Sequence, residues 1–456
     1  MNWFLIQEIG FYIFLALTIY YVFKKKYDNL MILYFYAMVF ATCYKFAFTI
    51  WFPTKIVSMG MLVCILRSGT TRSSNVRRIA VRMTATFVIM LITSNLWGMT
   101  LSKEYAASFN SLSRMVNQSY TYISAFILLF YGRLLEPGFI KRLYPAYMLA
   151  IEICIVTAII HFICLKAGIP FMPILRQNGT FNEGNEVVAQ FGSSVVSRIY
   201  AFVGEPKNLG FLILPYVLIS LMAYNNGFIR KNTRYHVGFL LAGTFALIQT
   251  YSSAALMNLA FAIPIVLLFF ATKRTFLSNV LLVGIIIVGF SLVTIKLSGG
   301  VTSNDPNFIE SFYGRTFGRA ENELENDRGE TLVFNAFKES DGLTPLIGWG
   351  VSQYTFHAPG QTIGNALIPL QSGLVLTLAD FGACGILYLF FVGFTIWGLL
   401  WKSKQMRNYY SLSFAIAALS SFIGSLMFGM LTGCFFYLML ALYAYYDERD
   451  YNAQTQ

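Results

Sequence analysis

Long apolar segments alternate with short charged clusters along almost the whole chain. Most apolar segments have the roughly 17 to 25 residues that an α-helix needs to cross about 30 Å of hydrocarbon. A transmembrane β-barrel would instead show short segments of alternating polarity. We therefore predict an all-α polytopic membrane protein, a bundle of about 12 to 14 transmembrane helices. The apolar segments are 3–23, 30–44, 47–66, 79–99, 118–132, 145–165, 208–225, 236–251, 253–272, 277–297, 382–401, 409–428 and 431–446.

The basic residues set the topology, because they lie in short clusters between the apolar segments. Cytoplasmic loops carry the excess of Lys and Arg, so we place these clusters inside the cell, which puts the N-terminus outside and the C-terminus inside. Two long polar segments, 166–207 and 298–381, then lie on the outer side. We therefore predict one membrane domain over residues 1–456 with two external loops. One long bent helix through residues 45–53 would change the number of spans by one.

The second external loop is predicted to contain short helices. Apolar residues recur at helical spacing in NDRGETLVFNAFKES, and Gly342 follows as a stop signal. We interpret this stretch as an amphipathic helix on the membrane surface. LIGWGVSQY is predicted to be a turn punctuated by glycine. IPLQSGLVLTLADFG is interpreted as a second interfacial or re-entrant helix that leads into a span beginning at Gly382.

Composition also indicates a membrane location. The 456 residues are 57% hydrophobic and 12% charged, with a mean hydropathy of +0.60, which excludes a water-soluble globule with a normally charged surface. A net charge of +12 would suggest nucleic acid as a partner of a soluble protein, but its clustering between spans argues against nucleic acid here. The six cysteines lie in or beside apolar segments without a CxxC pair, so neither a disulfide framework nor a zinc site is expected. The N-terminal segment has no basic leader and no small-residue cleavage site, so we expect a retained span.

Arginines in the external loops are candidate phosphate ligands. Arg198 ends the first loop, and Arg328 begins the amphipathic helix of the second. A guanidinium group keeps its charge and gives paired hydrogen bonds, which suits the diphosphate of a polyprenyl carrier. The alternative is that each arginine pairs with a neighbouring acid or with a lipid phosphate.

Glu205 precedes Pro206 at the start of an apolar segment. Proline is favoured in the first helical turn and an acidic group there complements the helix dipole, so a capping role is sufficient to explain the pair. The functional alternative is that Glu205 orients Arg198 or Lys207 toward a phosphate.

His357 is the histidine that falls in an external loop. An imidazole near neutral pH can accept a proton from a hydroxyl group, which makes His357 the candidate general base. A solvated loop histidine is the alternative. His161 and His236 lie in or beside apolar segments, where we expect packing or interfacial roles.

Charged residues inside the predicted spans are few, and we place them close to span ends: Lys45, Arg82, Glu152, Lys296 and Asp380. We interpret most of them as side chains that reach the interface by snorkelling. A proton-coupled transporter would show ionisable groups nearer the middle of its spans. The pattern therefore argues against a transporter.

Four segments, in this order, resemble motifs of the O-antigen polymerase and ligase superfamily, which includes the Wzy-type polysaccharide polymerases. SRIYAFVGEPKNLGFLIL is similar to the stretch with Arg and Gly-Glu-Pro that leads into a span in many of these polymerases. The other three are TYSSAALMNLAFAI, DRGETLVFNAFKESDGLTPLIGWGVSQY and LTLADFGACGILYLF. The resemblance rests on the order of the four segments and on the topology.

The resemblance implies an integral-membrane glycosyltransferase with a GT-C-like helical fold that needs neither a nucleotide sugar nor a metal. It would move a glycan from undecaprenyl diphosphate to a sugar hydroxyl of a second lipid-linked repeat unit at the outer face of the bacterial plasma membrane. Carried over by position, Arg198 and Arg328 would hold the diphosphate, and His357 is the third catalytic candidate. Candidates for substrate binding are Glu205, Lys207, Arg315, Arg319 and Gln371. The further partners implied are membrane lipids, a chain-length regulator and a flippase.

The chain departs from the ligases of this superfamily at one place. Ligases carry a His-Asn pair shortly before the last glycine motif, and Gln371 and Ser372 occupy that place here. The general base is therefore unassigned, and the departure favours a polymerase over a ligase. A flippase or transporter of lipid-linked oligosaccharide is the alternative from another class.

Overall fold

The structure is a computed structural model of the chain. It describes residues 3–47, 49–68, 74–101, 111–172, 174–175, 181–182, 188–191, 194–225, 233–252, 254–256, 258–259, 262, 328–340, 342–357, 362–363, 366–367, 372–428 and 432–455.

Helices account for most of the described residues. They are α1 (Trp3–Phe23), α2 (Tyr27–Val39), α3 (Pro53–Arg67), α4 (Ser74–Leu101), α5 (Ser111–Tyr131), α6 (Ile140–Lys166), α7 (Pro206–Asn225), α8 (Thr233–Gln249), α9 (Arg328–Lys338), α10 (Thr344–Ile347), α11 (Tyr354–His357), α12 (Gly373–Gln405), α13 (Tyr409–Phe428) and α14 (Thr432–Thr455). A 3₁₀ turn, Gly132–Leu134, follows α5.

The described strands pair as short antiparallel hairpins. The pairs are β1 (Lys45–Ala47) with β2 (Thr49–Trp51), β3 (Ile174–Leu175) with β4 (Phe181–Asn182), β5 (Val188–Phe191) with β6 (Ser194–Ser197), and β7 (Thr362–Ile363) with β8 (Ala366–Leu367).

Six of the described helices have the length and apolar composition needed to cross a membrane. They comprise Phe4–Phe23, Asn75–Leu101, Ile140–Lys166, Pro206–Ala223, Gly373–Gln405 and Tyr409–Leu426. A helix suits hydrocarbon because its backbone groups pair within the segment. The prediction of a helical, multi-pass membrane protein is therefore confirmed. The number of spans stays a prediction, since segments 253–272 and 277–297 lie largely outside the described residues.

The chain forms two compact units, of which the first comprises residues 1–70 and 134–320. In this unit α1 and α2 pack on α3, and α6 contacts α2, α7 and α8. Phe35 of α2 meets Tyr147 of α6 edge to face at a centroid distance of 5.5 Å. The hairpin of β1 and β2 separates α2 from α3, and Pro53 begins α3. The alternative of one long bent helix is therefore wrong.

The second unit comprises residues 71–133 and 321–456. In this unit α13 packs along α12 and α14, and α5 also packs on α14. Aromatic rings fill the contact between α4, α5 and α12. The ring of Phe87 on α4 is surrounded, at centroid distances of 4.7 to 5.4 Å, by Tyr122, Phe126, Phe381 and Tyr388. This cluster fixes α12 against its neighbours beside the site described below.

The helix predicted from NDRGETLVFNAFKES is present as α9. Val333 and Phe337 are buried, whereas Phe334 is exposed, so the helix has a buried and an open side. Gly342 follows with φ +67°, a left-handed conformation that glycine adopts at the least cost. The location of α9 on the membrane surface stays a prediction.

Helix α12 is interrupted at Gly382, the residue at which the sequence places the start of a span. The helix begins earlier, after Ser372, whose Oγ accepts a hydrogen bond from the N–H of Val375 at 3.4 Å. At Gly382 the dihedral angles are φ +61° and ψ −151°, outside the helical region. A short helix therefore leads into the longer apolar helix, in the predicted order.

Replacing Gly382 by Ala should destabilise the protein. A Cβ there would lie 2.6 Å from the carbonyl carbon of Leu346, in a backbone conformation that side chains disfavour. We expect Gly382→Ala to lower the free energy of unfolding by about 1 to 3 kcal/mol. Gly398→Ala in the same helix is the control, because nothing lies within 4 Å of its Cβ. Thermal unfolding in detergent measures both variants, and equal midpoints would contradict this explanation of the break.

Candidate functional site

A neighbouring turn donates hydrogen bonds to backbone carbonyl groups of α12 beside its interruption. Gly382 has dihedral angles outside the helical region, which disturbs the pattern in which each carbonyl accepts from the N–H four residues later. The N–H of Trp349 donates to the carbonyl of Ala379 at 2.8 Å, and the N–H of Gly350 donates to the carbonyl of Asp380 at 3.3 Å. The hydroxyl of Ser94 on α4 donates to the same carbonyl of Asp380. The turn between α10 and α11 is thereby attached to the broken helix.

Asp380 also holds this turn with its carboxyl group. The residue is 1% exposed. Its Oδ1 accepts a hydrogen bond from the N–H of Ser352 at 2.9 Å, and its Oδ2 accepts one from the hydroxyl of Tyr122 at 3.4 Å. The N–H of Val351 donates to Oδ1 of Asn95 at 3.0 Å. Four consecutive N–H groups of the turn therefore donate to α12 or α4. The N–H of Ser352 and the hydroxyl of Tyr122 satisfy a carboxyl group that would be costly to bury alone.

Glycine is required where this turn meets the helices. Gly348 has φ +80°, and a Cβ there would clash with the backbone of Asp380. A Cβ on Gly98 of α4 would clash with the carbonyl oxygen of Trp349. Only glycine lets backbones approach this closely. Residues 348–352 are called the docked turn below.

The docked turn carries Trp349, whose ring supports His357. Trp349 is 3% exposed and belongs to an apolar cluster that includes Val333, Phe337 and Tyr354. The imidazole of His357 stacks on the indole at a centroid distance of 5.4 Å and an interplanar angle of 18°. Its Nε2 is buried and has no hydrogen-bonding partner among the described residues. The histidine is thus placed by an aromatic ring that is itself fixed to α12.

Burial lowers the pKa of His357 below its ordinary value of 6.5. The physical cause is lost solvation, which disfavours the charged imidazolium. The imidazole is therefore neutral at pH 7 and can accept a proton, as a general base requires. The ring of His357 is half-buried, so the alternative of a solvated loop histidine does not describe it.

Arg198 lies in the first unit, beside the end of α8. Its Nε donates to the carbonyl oxygen of Thr250 at 2.8 Å, and the N–H of Ile199 donates to the carbonyl of Gln249 at 3.4 Å. A guanidinium group at this place complements the negative end of the helix dipole and satisfies a carbonyl that the helix leaves open. Arg198 therefore has a structural contact that also orients its guanidinium group.

His161 fixes the backbone that follows Arg198. Its Nδ1 accepts hydrogen bonds from the N–H groups of Tyr200 and Ala201, each at 3.2 Å. The imidazole stacks on Phe171 at a centroid distance of 4.0 Å. Since Nδ1 is an acceptor, the neutral ring carries its proton on Nε2. The packing role predicted for His161 is therefore confirmed.

Glu205 and Lys207 lie at the start of α7. The exposed carboxylate of Glu205 accepts a hydrogen bond from Nδ2 of Asn208 at 3.0 Å, and its carbonyl accepts one from the N–H of Leu209 at 2.9 Å. The carbonyl contact is a hydrogen bond of the first helical turn, whereas the carboxylate contact joins two side chains. Both capping and the orientation of a phosphate ligand therefore stay predictions for Glu205.

The remaining candidates cannot be placed in a site. Arg315, Arg319 and Gln371 lie outside the described residues. For Arg328 the structure describes the backbone at the start of α9 and not the side chain. Arg198 belongs to the first unit and α9 to the second. A diphosphate site shared by the two arginines therefore stays a prediction.

Snorkelling is wrong for two of the charged residues inside spans. Glu152 lies near the middle of α6, is 5% exposed, and accepts hydrogen bonds from the hydroxyls of Tyr216 at 3.4 Å and Tyr235 at 2.9 Å. Asp380 is likewise buried among protein donors. Neither side chain needs to reach the interface, because partners inside the protein satisfy its oxygens.

Reasoning from the sequence missed the polar group around Asp380. Its partners Ser94, Tyr122 and Ser352 come from distant segments, so no local pattern joins them. The signal available was an acid in the otherwise apolar LTLADFG, together with the closely spaced glycines of LIGWGVSQY.

These features define a multi-pass α-helical membrane protein with an interrupted helix at its candidate site. A scan against models of protein families gives no match, and a search among curated proteins finds no match either.

Asp380→Leu should destabilise the second unit more than Asp380→Asn. The leucine leaves the N–H of Ser352 and the hydroxyl of Tyr122 without an acceptor, at a cost of about 1 to 3 kcal/mol for each buried group. The asparagine keeps an oxygen for Ser352. Thermal unfolding in detergent compares them, and equally stable variants would show that the carboxyl group does not hold the docked turn.

Proposed function

We propose that the chain is an integral-membrane glycosyltransferase that polymerises undecaprenyl-diphosphate-linked repeat units of O-antigen, capsule or exopolysaccharide. It acts at the outer face of the bacterial plasma membrane, with a GT-C-like fold and an active site that faces the periplasm. The observation that carries the proposal is His357, a histidine kept neutral by burial and placed by a turn that is fixed to a membrane helix. The four segments that resemble O-antigen polymerases support the same conclusion.

The proposed reaction is a glycosyl transfer without a metal or a nucleotide sugar. The hydroxyl oxygen of the acceptor sugar attacks the anomeric carbon of the donor. The bond between that carbon and the diphosphate oxygen breaks, and undecaprenyl diphosphate leaves. The hydroxyl proton passes to the neutral imidazole of His357. Arg198 and Arg328 stabilise the charge that develops on the departing diphosphate.

The other candidates bind the two lipid-linked glycans. Cationic groups suit the phosphates, and neutral or acidic groups suit sugar hydroxyls. In the proposal the binding residues are Lys207, Arg315, Arg319 and Gln371, and Glu205 orients Arg198 or Lys207 toward a phosphate. A flippase that delivers repeat units and a chain-length regulator are the protein partners of such an enzyme.

The two alternative functions are a ligase and a flippase or transporter of lipid-linked oligosaccharide. A ligase that transfers the glycan to a lipid A core or another acceptor is disfavoured by Gln371 and Ser372 at the place of its His-Asn pair.

A flippase or transporter of lipid-linked oligosaccharide gains support from Glu152, an ionisable group near the middle of a membrane helix. Accumulation of single repeats at the inner leaflet of a deletion strain would favour that transporter.

Arg198→Ala and Arg328→Ala should each abolish long glycan chains. Loss of one charge-stabilising donor lowers the rate of such transfers by about 10²- to 10³-fold, so cells would carry single repeats. Gel analysis of extracted glycan measures this. Arg234→Ala, an exposed arginine on α8, is the matched control and should leave chain length unchanged. Normal chain length in both test variants would refute the assignment.

The rate of chain extension should fall only in acid. Because burial lowers the pKa of His357, the imidazole stays neutral above pH 6.5 and gains its proton at lower pH. We expect a flat rate from pH 8 to about 6.5 and a decline below it, with about 10²- to 10⁴-fold less activity in His357→Ala. Purified protein and a synthetic lipid-linked repeat provide the assay. A decline that begins above pH 7, or an unchanged profile in His357→Ala, would exclude this histidine as the base.

A further inference from the structure

An apolar groove runs between α1 and α3 in the first unit. Its volume is about 560 Å³. It follows α1 from Phe11 to Phe23, a distance of about 18 Å at the rise of an α-helix. The apolar lining residues include Leu15, Ile19, Met59 and Val63. The groove therefore has the length and chemistry of a site for one extended hydrocarbon chain.

The middle of the groove offers no hydrogen-bonding group. Thr18 lies there, but its hydroxyl donates to the carbonyl of Phe14 in the same helix at 2.7 Å. Gly60 lies opposite, and a Cβ on it would come within 2.5 Å of the Thr18 methyl carbon. The two helices are in close contact at this point. An occupant must therefore be apolar along the middle of its length.

The two ends of the groove differ in charge. At one end Lys45 lines the groove together with Trp51. The ammonium group of Lys45 pairs with the carboxylate of Glu8, donates to the hydroxyl of Tyr12 and lies 4.8 Å from the centre of that ring. The positive charge at this end is therefore already balanced by the protein.

The other end is basic. Arg67 and Phe23 line it, and Arg67 is exposed with no acidic partner among the described residues. Directly after Phe23 the chain continues with the exposed residues Lys24, Lys25 and Lys26. The charge pattern predicts this end to be cytoplasmic, where clustered basic groups attract anionic lipids.

We propose that the groove binds one acyl chain of an anionic phospholipid from the cytoplasmic leaflet, with the lipid phosphate at Arg67. The apolar middle takes the chain, and the uneven charge of the ends sets the direction of the lipid. Neither Arg198 nor His357 belongs to this site, so the site is independent of the proposed glycosyl transfer.

Native mass spectrometry of the purified full chain tests the site. The protein is stripped of lipid in detergent and titrated with phosphatidylglycerol or with phosphatidylcholine. We expect one phosphatidylglycerol to bind at least about tenfold more tightly than phosphatidylcholine, because only the former brings net negative charge to the basic end. Equal affinity for the two lipids would overturn the proposal.

Matched variants locate the lipid. Val63→Trp fills the groove from a position that is 42% exposed, and it should weaken phosphatidylglycerol binding by about tenfold or more. Leu66→Trp, on the same helix at 76% exposure and outside the groove, should bind as the wild type does. Binding by Val63→Trp equal to the wild type, or an equal loss in Leu66→Trp, would contradict the site.

The charge is tested separately at the exposed Arg67, where a substitution does not disturb the core. Arg67→Gln should remove the preference for phosphatidylglycerol, and Arg67→Lys should keep it. This pair decides the question even where Val63→Trp fails to fold. An undiminished preference in Arg67→Gln would place the phosphate elsewhere and overturn the proposal.

Discussion

The carbonyl groups of Ala379 and Asp380, beside the interruption of α12, accept hydrogen bonds from groups outside their own helix. An unsatisfied backbone group costs several kcal/mol in hydrocarbon, so a break in a membrane helix persists only where other groups replace the lost hydrogen bonds. Here the docked turn and Ser94 supply them. This constraint explains why glycine lies at position 98 on α4 and at positions 348 and 350 in the turn, since backbone must meet backbone closely at these points. The glycines of this region therefore follow from one requirement, the close approach of two backbones.

The same attachment gives the site its geometry. The N–H of Trp349 donates to α12, and its indole ring stacks on His357. The position of the histidine is therefore determined by α12. A group that must accept a proton benefits from such fixed placement, because a small displacement of a base lowers the rate of transfer strongly. The burial that the aromatic cluster provides also keeps the imidazole neutral. Position and protonation state therefore have a common structural origin.

Much of this fold is visible in the sequence, and the hydrogen bonds that define the site are not. Apolar length predicts the membrane helices, and the spacing of Val333 and Phe337 with Gly342 beyond them predicts α9. These are local signals, each contained within a few helical turns. The bonds from Ser94 and Tyr122 to Asp380 join residues more than 250 positions apart, so they depend on packing that no local pattern encodes. The burial of Glu152 is hidden for the same reason, because no local pattern shows that Glu152 faces tyrosines of two other helices.

Hydrogen exchange of the docked turn is the most direct test of the central claim, that the N–H groups of this turn fix it to α12 and α4 beside the interruption. The amides of residues 349–352 are followed by mass spectrometry of the protein in detergent, with the amides of α13 as an internal reference. The account predicts exchange as slow as in that membrane helix, because all four N–H groups are hydrogen-bonded to α12 or α4. Exchange at the rate of a solvated loop would contradict it.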